Sequence, residues 1–301
     1  MKTILITGIG GPAGRSLAEQ FSCLDGDDPR CDDTDYVVIG ADIQPVDTPH
    51  VTRTVVVPRA DDPAMVPALI SLAATLKADL VIPTVADELA EVAVASELFA
   101  PIPVVISAPR GAGLCQDKKF TMDALDLAGI PTPGALLPTE FVSAESAGAT
   151  LGWPFVIKPR VSRGGRGVIV VDTPDDIDWT TLGPAHVLQR FAPGTEYAPQ
   201  VYRSPRTAEV TVVVLEKTAL KQGRVGNAES VVRLPTSAAL DVVHLAAATA
   251  RALDLTGPID MDIRRMPDGS PVVLEVNARF GANSAHAPEL LRATLADYLA
   301  S

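Results

Sequence analysis

Cysteine is scarce in this sequence, and its three copies lie in no metal-binding arrangement. Cys23, Cys31 and Cys115 form neither a Cys-x-x-Cys pair nor a Cys/His spacing, and three cysteines cannot all pair with one another. The sequence therefore favours core or surface thiols over a zinc site or a disulfide framework.

The sequence also lacks an excess of positive charge and any long apolar run. Its 25 Lys and Arg residues stand against 37 Asp and Glu residues, and the formal net charge is -12. Such a charge disfavours general nucleic-acid binding, because phosphate neutralisation needs a basic surface. No apolar run approaches the ~20 residues of a membrane span, and no basic stretch precedes the first short apolar run. We expect no nucleic-acid partner, no membrane and a cytoplasmic location.

The 301 residues are enough for two or three packed units, because one core rarely grows beyond ~250 residues. The first third alternates β-branched runs with helical patterns, which favours a parallel sheet with helices on both faces. Strands are predicted at 4–7, 36–40, 54–57, 80–83 and 104–107, and helices at 13–21, 64–77 and 86–98. We interpret the acidic stretch 23–35 as a solvated surface loop.

A glycine-rich turn follows the first predicted strand. Thr7-Gly8-x-x-Gly11-x-x-Gly14 has the spacing of a nicotinamide-binding turn, and Asp42 stands where an acidic residue can hold a ribose 2′-hydroxyl. Short-chain dehydrogenases with this spacing also need Tyr-x-x-x-Lys, and no tyrosine here has a lysine four residues on. The glycines alternatively permit a tight turn and close helix–sheet packing. This motif alone leaves the function open.

A second glycine-rich segment reverses the local sign of charge. A helix is predicted from the N-cap Asp117 to about residue 128, and a strand ending at Lys158, a glycine loop and another strand come later. Residues 155–171 contain no acidic residue. The glycines and arginines of this loop are Gly164, Gly165, Gly167, Arg160, Arg163 and Arg166. Glycine N–H groups and cations favour an anion site, although no Walker sequence occurs; the alternative is a hairpin loop made soluble by arginines.

Another predicted strand ends in Gln189-Arg190-Phe191-Ala192, and a Pro-Gly turn leads from it to Glu196. A strand end of this kind can offer backbone groups to a base edge and a carboxylate to ribose hydroxyls. On its own it is equally consistent with an ordinary hairpin.

The segment 257–281 predicts a hairpin with two acidic residues facing each other. With Asp268-Gly269 as a two-residue turn, Pro267 faces Ser270 and Asp262 faces Glu275. The same register places Asp260 opposite Asn277, and it predicts an apolar face of Met261, Ile263, Val272, Leu274 and Val276. Two carboxylates ~5 Å apart repel unless a cation bridges them, and oxygen ligands suit Mg²⁺. The alternative is a solvated polar face.

The order of these motifs resembles the ATP-grasp family over essentially the whole chain. The residues that carry the resemblance are Lys118, Lys158, Glu196, Asp262, Glu275 and Asn277. The stretch DLVIPTVADELAEVA is similar to the preceding domain of the carbamoyl-phosphate-synthetase-like branch. The resemblance implies an α/β fold: a Rossmann-like pre-ATP-grasp domain at 1–110, and then an ATP-grasp fold of two α+β subdomains at 111–301 with a lid at about 130–185. In this family the first domain does not bind NAD, and it typically helps to form the second-substrate site.

The resemblance also implies roles for the matching residues. Lys118 and Lys158 contact nucleotide phosphates, and Lys158 also lies near the adenine. The loop that closes over the phosphates contains Ser162, Gly164, Gly165 and Gly167, and the adenine hinge contains Gln189, Arg190 and Ala192, followed by Glu196 at the ribose. The implied metal ligands are Asp262, Glu275 and Asn277. The two implied catalytic cations are Arg279 and Arg224. Lys158 joins those two arginines as a catalytic candidate. The implied cofactors are ATP and Mg²⁺, with Mn²⁺ as a substitute.

Two positions depart from the family pattern. Gln189 stands where the family commonly has glutamate, and Ala278 stands where it has proline. Because glutamine can still accept a hydrogen bond from an adenine amino group, we expect weaker or altered base selectivity rather than loss of binding.

The expected activity is that of an ADP-forming carboxylate–amine ligase, which activates a small-molecule carboxylate as an acyl phosphate for attack by a small-molecule amine. A homodimer is common for folds of this size. The alternatives are a carboxylate or bicarbonate kinase, a nucleotide-binding regulatory protein with little turnover, and an NAD(P)-dependent oxidoreductase. The complete metal set disfavours the regulatory protein.

Overall fold

The structure is a computed structural model, and it describes residues 1–24, 36–162 and 164–299. The predicted acidic loop lies almost entirely outside the described residues, as does Arg163. Within the described ranges, no helix has the length and apolarity needed to cross a membrane.

The N-terminal unit is built on a parallel sheet with the strand order β3-β2-β1-β4. Its elements are β1 (Lys2–Thr7), α1 (Pro12–Leu24), β2 (Tyr36–Asp42), β3 (Arg53–Val56), α2 (Met65–Leu76), β4 (Leu80–Ile82), α3 (Leu89–Val94) and α4 (Pro109–Gln116). Alternate residues of β1 lie in different cores: Leu5 packs with α2, whereas Ile4 and Ile6 pack with α1. Both faces of the sheet are thus covered, as predicted. The expected domain boundary near residue 110 falls inside α4.

Two predicted elements of this unit are shorter than expected. The fifth strand is reduced to a parallel bridge between Val81 and Val104. The Val105 N–H donates to Val81 O at 2.9 Å, but Ser107, at the end of the predicted strand, exchanges hydrogen bonds with Thr256 through its hydroxyl group. The predicted helix at 86–98 is divided into α3 and two short 3₁₀ turns on either side of it.

The first glycine turn packs against neighbouring side chains and is hydrogen-bonded to Asp42. Gly8 has a φ of 59°, and a Cβ there would lie 2.5 Å from the Val85 side chain. Asp42 accepts hydrogen bonds from the backbone N–H groups of Gly10 and Ile43, each at 2.8 Å. Because this carboxylate already holds the turn, the geometry favours the packing interpretation of the glycines over the nicotinamide interpretation.

The chain then forms α5 (Lys118–Leu127), α6 (Ala144–Leu151), β5 (Phe155–Pro159), β6 (Ile169–Val171) and β7 (His186–Arg190). Asp117 caps α5 as predicted, since its side chain accepts from the backbone N–H groups of Lys119 and Phe120. The three strands form a small antiparallel sheet with the order β6-β5-β7, and one face of it packs on α6. We call α6 and this sheet the lid; its last strand reaches Arg190.

The rest of the chain builds a seven-stranded sheet with two helices. Its elements are β8 (Glu196–Tyr197), β9 (Gln200–Arg203), β10 (Val210–Val213), β11 (Leu215–Gln222), β12 (Val225–Arg233), α7 (Leu240–Ala252), β13 (Gly257–Arg265), β14 (Pro271–Asn277) and α8 (Pro288–Leu299). The strand order is β10-β9-β13-β8-β11-β12, and β14 pairs with β13. Helices α5 and α7 cover one face, whereas α1 and α8 lie in the core on the other.

This shared core fixes the N-terminal unit against the large sheet. Phe21 of α1 and Phe280 after β14 belong to the same buried cluster. The contact is also polar: Ser16 Oγ lies 3.0 Å from Ser284 Oγ and accepts from the backbone N–H of Ala285 at 2.9 Å. The segment that follows β14 is therefore held directly against the helix that follows the first glycine turn.

The turn between β13 and β14 differs from the predicted one. The backbone N–H of Gly269 donates to Met266 O at 2.9 Å, and the Met266 N–H donates to Ser270 O at 2.9 Å. The loop therefore has three residues, and the predicted pairing of Pro267 with Ser270 is wrong. Gly269 has a φ of 85°, as the last residue of a three-residue hairpin loop requires.

A β-bulge in this hairpin restores the predicted pairing of the acidic residues. Beyond the pair Ile263–Val273, β14 contains one extra residue, Leu274, and Asp262 then lies opposite Glu275 as predicted. Val273 is fully buried and takes the core position that was predicted for Leu274. The errors in the turn and in the strand cancel, because each shifts the register by one residue in opposite directions.

Glu88 gives the N-terminal unit a dependence on pH. It is buried, and it accepts hydrogen bonds from Thr7 Oγ1 and from the backbone N–H of Val85 at 3.2 Å. Burial raises the pKa of Glu88 to about 7, so the folded protein holds a proton that the unfolded chain releases near the ordinary pKa of glutamate. Its contribution to stability is therefore complete below about pH 4.5 and is lost as the pH rises through about 7.

We expect the free energy of unfolding to fall between pH 5 and pH 7 by up to about 1.4 kcal/mol per pH unit from this group, and Glu88→Gln to remove that slope. Urea unfolding of both proteins across this range measures the effect. The matched control is Glu91→Gln on the exposed side of α3, which should keep the wild-type slope. Parallel curves for Glu88→Gln and the wild type would contradict the assignment.

Candidate active site

Lys118 joins the loop of the lid to β14. Its Nζ donates to the backbone O of Ser162 at 2.8 Å and to Ser162 Oγ at 3.3 Å, and it lies 3.6 Å from Glu275 Oε1. The N-cap at Asp117 fixes the start of α5, so the direction in which Lys118 leaves the helix is set locally. The structure thus brings together three residues that were predicted from three separate motifs.

Lys158 is buried, and it lies near the carboxylates of Glu275 and Asp262. Burial lowers its pKa, Glu275 and Asp262 counteract this effect, and Lys118 adds to it. Among the described residues, the Lys158 ammonium makes no ion pair or hydrogen bond, although carboxylates surround it at longer range. A buried cation in this arrangement is available to an anionic ligand.

Lys217 on β11 is a central residue of the site that the sequence analysis did not find. Its Nζ lies 2.6 Å from Glu196 Oε1 and 2.6 Å from Asp262 Oδ1, and its side chain is 3% exposed. Burial lowers the pKa of Lys217, but the carboxylates of Asp262 and Glu196 together outweigh burial and raise it. A single lysine in a strand carries no sequence signal, because only the pairing of β11 with β8 brings it to these carboxylates.

Glu196 lies in the same cluster, on β8. Burial raises its pKa and the neighbouring Asp262 raises it further, whereas Lys217 and Arg264 lower it. Arg264 NH1 lies 3.5 Å from Glu196 Oε2. The carboxylate that the resemblance places at the ribose is therefore held between two cations.

Asp262 and Glu275 face each other across β13 and β14, and each has its own lysine partner in Lys217 and Lys118. These two lysines already reduce the repulsion that is predicted from the sequence. Within the described ranges, no group of three His, Cys, Asp or Glu side chains could hold a metal ion. The predicted donor set has two carboxylates and the Asn277 amide, and it fits a cation such as Mg²⁺ that takes few protein ligands and completes its shell with phosphate oxygens.

Arg279 follows this donor set closely in the chain. Its NH1 donates to Phe280 O at 2.7 Å and lies 3.6 Å from Asp260 Oδ2. Asp260 pairs with Asn277 across the hairpin and accepts from Gln200 Nε2 at 2.7 Å. These contacts place a largely buried guanidinium beside the predicted metal strand.

Arg224 lies elsewhere, in the turn between β11 and β12. Its guanidinium forms a two-point ion pair with Asp172, at 2.8 and 2.5 Å, and both side chains are about half exposed. The structure does not bring Arg224 into the carboxylate cluster. Instead, this ion pair connects the β11–β12 hairpin to the segment directly after β6 of the lid.

The glycine loop packs on that same hairpin. A Cβ on Gly165 would lie 3.1 Å from Gly226 Cα, and Gly167 is packed against Pro159. Both have positive φ angles, 71° and 72°. Gly165 is thus required by the close approach of the loop to the hairpin, and Gly167 by its contact with Pro159.

The predicted adenine hinge lies at the end of β7. Gln189 and Ala192 are buried, whereas Arg190 is exposed. The side-chain amide of Gln189 has no hydrogen-bond partner on either atom among the described residues. The hinge, the loop and the acidic cluster all lie where the lid meets the large sheet.

Comparison with known proteins agrees with this geometry. The family model described as "ATP-grasp domain" matches residues 115–283, which are more than half of the chain. The chain belongs to the ATP-grasp family. The resemblance stated from the sequence is confirmed, as is the α/β ATP-grasp fold.

Curated ATP-grasp relatives match parts of the chain. A carbamoyl phosphate synthase large chain of Mycobacterium sp. (strain JLS) is 30% identical over 99 residues, which are 31% of this chain and 9% of the relative. A D-alanine–D-alanine ligase of Bifidobacterium longum (strain DJO10A) is 26% identical over 213 residues, which are 60% of this chain and 54% of the relative. The chain therefore spans about a tenth of the first relative and about half of the second.

Solved structures with the same fold cover nearly all of the chain. N5-carboxyaminoimidazole synthetase from Staphylococcus aureus, complexed with ADP, has a TM-score of 0.74 and 18% identity, over 100% of this chain and 78% of that one. L-amino acid ligase from Bacillus licheniformis has a TM-score of 0.68 and 21% identity, over 95% of this chain and 69% of that one. At these identities the likeness shows the fold.

Proposed function

We propose that this ATP-grasp protein is an ATP- and Mg²⁺-dependent, ADP-forming ligase that joins a carboxylate to an amine. The observation that supports it most directly is the buried cluster in which Lys118 and Lys217 bind the opposed carboxylates of Glu275 and Asp262, with Lys158 beside them. The D-alanine–D-alanine ligase and the L-amino acid ligase named above bear names of this reaction class.

The proposed reaction has two steps. The terminal phosphoryl group of ATP passes to a carboxylate oxygen and ADP leaves; an amine nitrogen then attacks the acyl carbon and inorganic phosphate leaves. Mg²⁺ held by Asp262, Glu275 and Asn277 would supply charge neutralisation at the phosphate oxygens. Lys118 and Lys158 bind nucleotide phosphates, and Arg279 stabilises the negative charge that develops during transfer.

The contacts of the lid suit this chemistry. Lys118 holds Ser162, and Arg224 holds Asp172, so both sides of the glycine loop are tied to the rest of the protein. We propose that this arrangement excludes water from the acyl phosphate, and that Arg224 acts by positioning the lid. We expect the N-terminal glycine turn to bind no nicotinamide, since Asp42 already accepts a hydrogen bond from the backbone N–H of Gly10.

We expect Mg-ADP to raise the melting temperature and NADPH to leave it unchanged. A ligand at ~100 times its dissociation constant adds ~2.7 kcal/mol to the free energy of unfolding. Lys158→Ala should lose most of the Mg-ADP shift, because the buried cation is removed, whereas the exposed control Lys221→Ala on β11 should retain it. A clear shift with NADPH and none with Mg-ADP would refute the proposal.

Phosphate release from ATP then tests the reaction itself. Amino acids and other small carboxylates are assayed singly and in pairs. A ligase releases more phosphate with a carboxylate–amine pair than with either compound alone. A carboxylate kinase releases no more phosphate with a pair of compounds than with each compound alone. That result would replace the ligase with the kinase.

A further inference from the structure

Asp260 is a largely buried carboxylate to which the proposed reaction gives no role. Its side chain is 17% exposed, and its Oδ1 accepts a hydrogen bond from Gln200 Nε2 at 2.7 Å. Its Oδ2 lies 3.6 Å from Arg279 NH1, which is longer than a hydrogen bond, and it accepts none from the residues that the structure describes. The protein therefore fixes one oxygen of this carboxylate and leaves the other available to a ligand.

The position of Asp260 on β13 places it at the reacting end of the site. The odd-numbered apolar side chains of β13 lie in the core with α5 and α7, so the even-numbered side chains lie on the opposite face. This second row contains Arg264, which pairs with Glu196, then Asp262 and then Asp260, in steps of ~7 Å. Because the proposed nucleotide extends from Glu196 at the ribose to the metal at Asp262, Asp260 lies one step beyond the metal-bound phosphates.

The next step along this face leads to the N-terminal unit. Gln200 pairs with Asp260, and Tyr202 on the same face of β9 belongs to the core that the large sheet shares with that unit. A Cβ on Gly281 would lie 2.3 Å from the Asp260 carboxylate, so the segment after Arg279 passes close to it. Asp260 thus lies between the proposed metal site and the N-terminal unit.

Asp260 and Arg279 place opposite charges side by side at this end of the site. The proposed reaction brings together a carboxylate, which is an anion, and an amine, which is largely protonated near neutral pH. Arg279 attracts the carboxylate substrate, whereas Asp260 repels it. An ammonium group suits Asp260, since a charge-assisted hydrogen bond is about twice as strong as a neutral one. The open Oδ2 therefore matches the amine substrate.

We propose that Asp260 binds the amine substrate as an ammonium ion, with an N–H donating to Oδ2, and holds its nitrogen beside the acyl phosphate. This inference rests on the proposed function, since it names the residue that receives the second substrate. The bound ammonium first releases one proton to solvent. The nitrogen then bonds to the acyl carbon, the bond from that carbon to the phosphate oxygen breaks with its electron pair, and inorganic phosphate takes a second proton from the nitrogen.

Hydroxylamine separates the binding of the amine from the activation of the carboxylate. It is uncharged at neutral pH, and it converts acyl phosphates to hydroxamates without needing an ammonium site. Carboxylates are screened with Mg-ATP and hydroxylamine, and amines are then screened for added phosphate release with the active carboxylate. Asp260→Asn should raise the KM for the amine about 10- to 100-fold, because a charged acceptor is lost, and should leave hydroxamate formation unchanged.

Two further variants complete the test. Asp254→Asn makes the same change at an exposed carboxylate that also pairs with an arginine, Arg203 at 2.8 Å, and it should leave both activities unchanged. Gln200→Met removes the hydrogen bond to Oδ1 but keeps the Asp260 charge, so it should raise the KM for the amine by a smaller factor. The melting shift with Mg-ADP checks that each variant is folded, and Gln200→Met carries the test if Asp260→Asn is not.

Three results would overturn the inference. A KM for the amine that is unchanged in folded Asp260→Asn, or in Gln200→Met where only that variant folds, refutes the ammonium contact. Equal losses of hydroxamate formation and of ligation would show that Asp260 acts through Arg279 on phosphoryl transfer, and the proposed function would stand. A wild-type protein that forms no hydroxamate with any carboxylate contradicts both the inference and the proposed function.

Discussion

Lys217→Met should destabilise the unliganded protein by about 3–5 kcal/mol, because it leaves two buried carboxylates without their shared cation. Lys217 Nζ lies 2.6 Å from both Glu196 and Asp262, and the raised pKa of Glu196 shows how burial and Asp262 already disfavour its charge. Methionine keeps the length of the side chain, so the loss is one of charge rather than of volume. Urea unfolding at neutral pH measures the effect.

The matched control for this variant is Lys221→Met, which changes an exposed lysine of the same strand. It should stay within about 0.5 kcal/mol of the wild type. The double variant Lys217→Met/Glu196→Gln should recover part of the loss, since one of the two stranded charges is gone. If Lys217→Met is as stable as Lys221→Met, the cluster is more hydrated than its geometry indicates and the electrostatic account fails.

The opposed carboxylates should respond differently to substitution, although each is expected to be needed for turnover. With saturating Mg²⁺ and ATP, Asp262→Asn and Glu275→Gln should each reduce phosphate release by about 100-fold, because a neutral amide is a weaker ligand for a hard cation than the carboxylate it replaces. Without metal, the free energy of unfolding should separate the two variants. Melting curves without metal and phosphate release with metal provide the two measurements.

The expected difference in the free energy of unfolding between these two variants without metal follows from their different lysine partners. Asp262→Asn removes a carboxylate that lies 2.6 Å from the buried Lys217, and it should be destabilising. Glu275→Gln removes a looser contact, 3.6 Å from Lys118, and Lys118 keeps its hydrogen bonds to Ser162. The relief of cross-strand repulsion, about 0.2–1 kcal/mol, should make this variant neutral or slightly stabilised.

The control for turnover is Glu229→Gln, an exposed carboxylate on β12 that should leave phosphate release unchanged. Destabilised variants of Asp262 and Glu275 that retained full turnover would show that the pair serves the fold and holds no metal. Equal stability of the two variants without metal would contradict the unequal strength of their lysine contacts.

The β13–β14 hairpin shows which features of the fold can be predicted from neighbouring residues and which cannot. The opposition of Asp262 and Glu275 was predicted correctly although the turn was predicted with two residues instead of three. The alternation of side chains along each strand is a local property, but the length of the turn and the bulge at Leu274 are fixed together by how the finished hairpin packs. With Leu274 as the extra residue, β14 places Val273 in the core, a choice that depends on packing with distant residues.

The sequence by itself determined the family, from the order of motifs along the chain, and it determined the alternation of strands and helices and the cap at Asp117 from local patterns. The predicted opposition of Asp262 and Glu275 is correct because a bulge offsets the error in the turn. Only the tertiary structure placed Lys217 between Glu196 and Asp262, bound Asp42 to the glycine turn and turned Arg224 toward Asp172. These are contacts between segments far apart in the chain. Their energies depend on burial and on the exact distance between charges, which no pattern of residue types encodes.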